Sequence, residues 1–256
     1  MTGHPRVAFS TRRRRWRDAI GRFVADRKTP GVGVLVALLL VADLTLIALH
    51  LGNRVLDVSD ALFLDVDHGY GEFIQYLKFL WLVVLTVWVG RTQRRWRLAG
   101  WAAIFGYLLL DDALQLHERL GRLLTDLWSP DVHQPDATLG EFVGVALPLL
   151  VCVVWAWLLQ REPGRQARAE HRAIIALLAL LAFFGVVVDA LHGLVAYSTQ
   201  PGDLVAIIED GGEHIVVSLL VGLMFGLLVG GNSHRRGLDV APRRWERVSA
   251  ISPNRP

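Results

Sequence analysis

The stretch GVGVLVALLLVADLTLIALHL, residues 31–51, decides the fold class. Its only ionisable side chains are Asp43 and His50, and it is long enough to cross a hydrocarbon core of about 30 Å as a helix of about 20 residues. It is too long for the apolar region of a signal peptide and is followed by no small-residue cleavage pattern, so it reads as a retained anchor. Working outward, five further apolar runs have the same character: residues 73–90, 98–116, 140–159, 173–195 and 204–230. None alternates with the period of two that an outer-membrane strand requires. The expected fold is all-α, a polytopic integral membrane bundle of six transmembrane helices spanning residues 31–230. A basic juxtamembrane segment (1–30) precedes it and a basic tail (231–256) follows it.

Composition agrees. Of 256 residues 53% are hydrophobic, which excludes a disordered chain. The single cysteine, Cys152, excludes an intramolecular disulfide and a multi-thiolate metal centre. The net charge of +3 hides a strong asymmetry. Arg12, Arg13, Arg14, Arg15 and Arg17 precede the first run, Arg91, Arg94, Arg95 and Arg97 follow the second, and Arg161, Arg165, Arg168 and Arg172 follow the fourth. Arg54, Arg119 and Arg122 stand against them on the alternate loops. The positive-inside rule therefore predicts that both termini are cytoplasmic, in the inner membrane of a bacterium whose arginine bias reflects its genome. The amino-terminal arginines are expected to meet anionic lipid, not nucleic acid, since no groove-reading motif accompanies them.

The ionisable residues inside these runs are the functional signal, because each costs about 2.5–3.5 kcal/mol to insert without a partner. The third run carries Asp111, Asp112, Gln115, His117 and Glu118; the fifth carries Asp189 and His192; the sixth carries Glu209, Asp210, Glu213 and His214, with Ser218 one turn on. Asp43, His50 and Lys78 lie at similar depth on the first two. At 100° per residue, Asp111 and Glu118 are predicted to share a face, as are Asp189 with His192, and Asp210 with Glu213 and His214. All fall in one slab toward the extracytoplasmic side, with apolar inner halves beneath. Residues 118–128 keep a helical pattern that predicts an amphipathic extension along the interface. Asp203 is expected to cap the last helix, Gly230 and Gly231 to end it, and His50, His68 and His133 to be surface or loop histidines.

Lys78, Arg119 and Arg122 cannot neutralise Asp111, Asp112, Glu118, Asp189, Glu209, Asp210 and Glu213 together. Either several acids are protonated or a divalent metal is bound. Carboxylate and imidazole without thiolate suit zinc, iron or manganese. The expected metal ligands are Asp111, His117, Glu118, Asp189, His192, Asp210 and His214, with Asp112, Glu213 and Ser218 as catalytic groups. The Asp189-x-x-His192 spacing is similar in inventory to the ligation of carboxylate-bridged dimetal bundles. The three histidines, aspartate and serine resemble the set of the ceramidase-related intramembrane zinc hydrolases, whose seven spans and motif order differ. These resemblances imply a metal-dependent hydrolase or oxidoreductase acting on a membrane lipid. The alternatives are a cation or proton transporter using the same residues, and a non-catalytic scaffold or partner subunit. Substrate, protein partner and oligomeric state are not legible.

Overall fold

The computed structural model describes residues 30–64, 66, 68–128, 137–189 and 200–239. The described chain is helical, with no strand. The helices are α1 (Pro30–Leu56), α2 (Tyr70–Thr92), α3 (Trp101–Leu114), α4 (Leu116–Trp128), α5 (Ala137–Leu159), α6 (Arg165–Ala182) and α7 (Gln200–Asp239). A 3-10 turn (Asp60–Leu62) lies between α1 and α2, a single turn (Trp96–Ala99) precedes α3, and a π segment (Phe183–Val188) continues α6.

Among the described residues four helices are long and apolar enough to cross a membrane: Gly31–Leu56, Tyr70–Thr92, Arg165–Val188 and Leu204–Gly230. Their outer surfaces are apolar, as a hydrocarbon surrounding favours. Val34, Leu38, Val41 and Leu44 of α1 and Leu80, Val84 and Trp88 of α2 are exposed, an arrangement that water would penalise. The most buried of the four is α7, whose Val216, Val217, Leu220, Val221 and Met224 face the interior with Leu82 and Val89 of α2 and Ile174 of α6. Small residues set the helix spacing. A Cβ on Gly211 would meet Ile47, and one on Gly222 would fall inside Val36, so α1 and α7 pack closely and antiparallel. Lys78 reaches His214 and Gln93 reaches the Leu227 carbonyl, so α2 and α7 run parallel.

Several expectations change. The third apolar run is not one helix. Gln115 takes a left-handed conformation (φ 50°, ψ 49°) that separates α3 from α4, so Asp111 and Glu118 do not share a helix face. Two bonds compensate for the break: the Asp111 carboxylate accepts from the His117 backbone N–H at 2.9 Å and pairs with His117 Nδ1 at 3.1 Å. Beyond the break α4 is a separate amphipathic helix packed on α5, where Gly144 and Gly121 bring the backbones together. Asp203 lies within the first turn of α7 and does not precede it, and α7 continues through Gly230 and Gly231 to Asp239.

Candidate functional site

The buried charge converges where α1, α2 and α7 meet. Asp43, Lys78, His214 and Ser218 are 1%, 1%, 5% and 0% exposed. Lys78 Nζ donates to Asp43 Oδ1, lies 3.0 Å from His214 Nδ1 and donates to the His214 carbonyl at 3.2 Å. These three contacts use the three protons of an ammonium group. Ser218 Oγ donates to Asp43 Oδ2 at 2.6 Å, so both carboxylate oxygens are satisfied. With Lys78 donating to Nδ1, the imidazole proton belongs on Nε2, the tautomer that this network assigns to His214. Nε2 faces Gly71, where an added Cβ would sit 3.6 Å away. Asp43, Lys78 and His214 thus form a neutral unit, one negative charge and one positive, with a second base 3.0 Å from the ammonium.

Beside this unit, Gln75 Nε2 donates to Glu213 Oε2 at 3.3 Å. Glu213 rests against the π segment, whose backbone it approaches because residue 185 is glycine: a Cβ there would overlap Glu213 Oε1. The π turn is closed by an i→i+5 bond from the Asp189 N–H to the Phe184 carbonyl. Phe184 in turn lies flat on Gly212, where a Cβ would be 2.6 Å from the ring. Asp210, Asp112, Glu209 and Asp189 all act on Glu213 through space. Of the elements that carry these acids, the π segment packs directly on α7.

A short strap, residues 57–64 with 66, 68 and 69, folds over this end of the bundle. Asn53 holds it at one point, accepting from the backbone N–H groups of Val58 (2.9 Å) and Ser59 (3.1 Å) and donating to the Ser59 carbonyl (2.8 Å). His50 Nδ1 accepts from the Leu64 N–H at 3.0 Å, and Glu72 Oε2 accepts from the His68 N–H at 2.6 Å. Buried Leu64 then covers the Gly71 and His214 region. His50 is therefore no surface histidine; it is fully buried and latches the strap.

The expected site residues divide accordingly. His214, Glu213 and Ser218 are brought together, with Asp43 and Lys78 as their partners. Asp111 pairs with His117 at the α3–α4 break, and Glu118 pairs with Arg122 at 3.4 Å on a more exposed surface. Asp112 is near enough to act on Glu213, and its Oδ2 has no hydrogen-bond partner among the described residues. Asp189 is exposed, Asp210 half-buried, and His192 and His133 lie outside the described residues. Among the described residues no three His, Cys, Asp or Glu side chains gather as a metal cluster.

Residues 31–227 match a family described as Domain of unknown function (DUF8692). The chain belongs to the DUF8692 family. No curated protein and no solved structure matches it. The DUF8692 match contains the whole Asp43–Lys78–His214–Ser218 unit, while most of the basic segments at both ends fall outside it.

A second buried polar network, also within the DUF8692 match, lies at the opposite end of the bundle and was not expected. Arg95 grips Glu162 with Nε (2.8 Å) and Nη2 (3.2 Å), and Glu170 with Nη1 (2.6 Å). His171 Nε2 donates to Glu162 at 2.7 Å, and Trp101 Nε1 donates to His171 Nδ1 at 2.7 Å. Trp101 and His171 are fully buried. Burial pushes the Glu162 carboxyl up, but the hydrogen bonds from Arg95 and His171 and the Arg95 charge more than offset it, and its pKa falls below the usual value. The sequence signal was faint: acids at 162 and 170 inside an arginine-rich loop, and a histidine at the mouth of an apolar run.

Proposed function

We propose that this is a six-pass membrane protein that moves protons through the Asp43–Lys78–His214 unit, as a proton-coupled transporter. The observation that carries this reading is one buried ammonium shared between a carboxylate and an imidazole, on three different helices. Intramembrane ionisable groups of this kind mark relays and ion pathways. A proton arriving at His214 Nδ1 must break the bond to Lys78. Transfer from Lys78 to that nitrogen instead leaves a neutral amine and places the imidazolium charge toward Asp43, 3.7 Å away. Either event rearranges contacts between α2 and α7, which is how protonation would be coupled to helix movement.

The proposed topology counts α1, α2, α3, α5, α6 and α7 as passes, with both termini in the cytoplasm of a bacterial cell. The arginines flanking the Arg95 network support that face as cytoplasmic, and the Lys78 end then faces outward. Beneath the unit, Leu82, Val89, Val217, Leu220, Val221 and Met224 form a dry plug. Leu64 and the strap cover the unit on its other side, so passage requires both the plug and the strap to part.

The test is proton uptake into proteoliposomes under an imposed membrane potential, read with an entrapped pH dye. Uptake by the wild type and its loss in His214→Gln support the reading. Equal leakage with and without protein contradicts it. A metal-dependent enzyme acting on a lipid is the second reading, favoured by the carboxylate field around Glu213. It is weakened by Ser218, whose hydroxyl is fully buried and donates to a carboxylate already paired with Lys78. That reading requires turnover of a lipid without proton flux, and tightly held zinc, iron or manganese by elemental analysis.

A further inference from the structure

We propose that the furrow between α1 and α2 is a binding site for an anionic phospholipid, with one acyl chain lying in the furrow and the phosphate held by Arg91 and Arg94. The inference goes beyond the transport reading. It borrows only the proposed topology, which makes the leaflet on the arginine side the cytoplasmic one.

The furrow opens on the outer surface of the bundle and has a volume of about 320 Å3. Leu35 of α1 forms one wall, Trp81, Val84 and Trp88 of α2 form the other, and buried Val221 of α7 is the floor. Every lining residue is a leucine, a valine or a tryptophan. Such walls offer water no hydrogen bonds and suit a hydrocarbon chain. Val221 also belongs to the apolar plug, so a seated chain lies against it.

Length selects the occupant. From Trp81 to Arg91 the helix rises about 15 Å, half of a hydrocarbon core of about 30 Å. The furrow therefore runs from one membrane surface to mid-bilayer, the reach of a single lipid tail. A partner helix needs a groove through the full thickness.

Charge selects the headgroup. Of the four arginines at positions 91, 94, 95 and 97, Arg95 is spent on Glu162 and Glu170, and Arg97 donates to the Arg161 carbonyl. Arg91 and Arg94 are exposed, and neither side chain makes a hydrogen bond or ion pair among the described residues. Arg91 stands seven residues after Val84, so it continues the furrow face of α2 to within about 20°. Arg94 follows just past the helix end. Two uncommitted guanidinium groups at the mouth of an apolar furrow match a phosphate joined to an acyl chain. Trp88, one turn before Arg91, donates its indole N–H to no described residue. At that depth an indole reaches the ester oxygens of a lipid.

The experiment is native mass spectrometry of the full-length protein, stripped of lipid in detergent and then supplied with phosphatidylglycerol or phosphatidylcholine of identical chains. The expected result is one retained phosphatidylglycerol, held about tenfold or more tightly than phosphatidylcholine. In the Arg91→Gln, Arg94→Gln double variant that preference should fall to about twofold or less, because both lipids keep the same chain contacts. Val84→Trp fills the furrow and should weaken retention of both lipids by about tenfold. All three substitutions are on exposed positions, so an unchanged thermal midpoint shows that a loss belongs to the site. Equal retention of the two lipids by the wild type overturns the proposal. So does a preference that survives the double variant, which places the anionic lipid at other arginines such as Arg165 and Arg168. A dimer that Val84→Trp dissociates also overturns it, since a second copy of the chain then fills the furrow. Lipid retention is read without proton flux, so failure of the site leaves the transport reading intact, and absence of flux leaves the site.

Discussion

The two ends of the bundle both bury charge, but they resolve it differently. At the Arg95 end every named group has its counterpart: guanidinium on two carboxylates, imidazole between a carboxylate and an indole N–H. At the Lys78 end one ammonium serves a carboxylate and an imidazole, while Gln75 Oε1 and Asp112 Oδ2 lack hydrogen-bond partners among the described residues. A satisfied network rigidifies; an incompletely satisfied one has something left to bind or to exchange. The Arg95 end is thus a lock that holds the loops between α2, α3, α5 and α6 together. The Lys78 end is where chemistry is to be sought.

The comparison can be broken most forcefully at Lys78. Lys78→Met leaves Asp43 buried without its ammonium and should destabilise the protein by about 3–5 kcal/mol, read as a large fall in thermal midpoint in detergent. The Asp43→Asn, Lys78→Met pair should recover most of that loss, because the uncompensated charge is gone. A single variant as stable as the wild type would mean that the pair is not buried as described.

Arg95→Ala comes next. It strands Glu162 and Glu170, both largely buried, and should cost about 1.5–3 kcal/mol in the same measurement. Proton uptake per folded molecule should persist in it, and the background leak should rise as the closed end loses its seal.

Acid provides a gentler probe of the same lock. The pKa of Glu162 is lower in the folded protein than in the unfolded chain, so its contribution is complete above the ordinary glutamate value of about 4.3 and is lost as pH falls through the depressed value. Wild-type stability should therefore drop below about pH 4.3, and Glu162→Gln should flatten that part of the profile. An unchanged profile would remove Glu162 from the lock. The smallest effect is expected at the α3–α4 break, where Asp111→Ala removes the acceptor of the His117 N–H and should cost about 1 kcal/mol.

How much of this was legible in the sequence follows from what periodicity can encode. Apolar run lengths predicted six spans, of which four are helices long and apolar enough to cross a membrane among the described residues, and the positions of Asp43, Lys78, Glu213 and His214 along their runs placed them at one depth. Periodicity assigns a residue to a face of its own helix but does not say which helix that face meets. Depth alone therefore left Asp43 without an assigned partner, which the structure shows to be Lys78, 35 residues away. The break at Gln115 was illegible for another reason. A left-handed glutamine costs about 1–2 kcal/mol and no glycine or proline announces it; the stabilising bonds come from Asp111 and His117, which looked like ligands. The Arg95 lock was missed because its buried centre pairs a histidine with a tryptophan N–H, a donor that a search for ionisable clusters passes over.

The central claim is that the Lys78 end handles protons, and one measurement bears on it most directly. Proton uptake should be compared between wild type and the charge-neutral Asp43→Asn, Lys78→Met double variant, reconstituted at equal folded protein. The expected result is robust uptake by the wild type and none above empty vesicles for the double variant, at nearly equal thermal stability. Equal uptake by the two proteins would contradict the account and reduce the buried ion pair to helix packing.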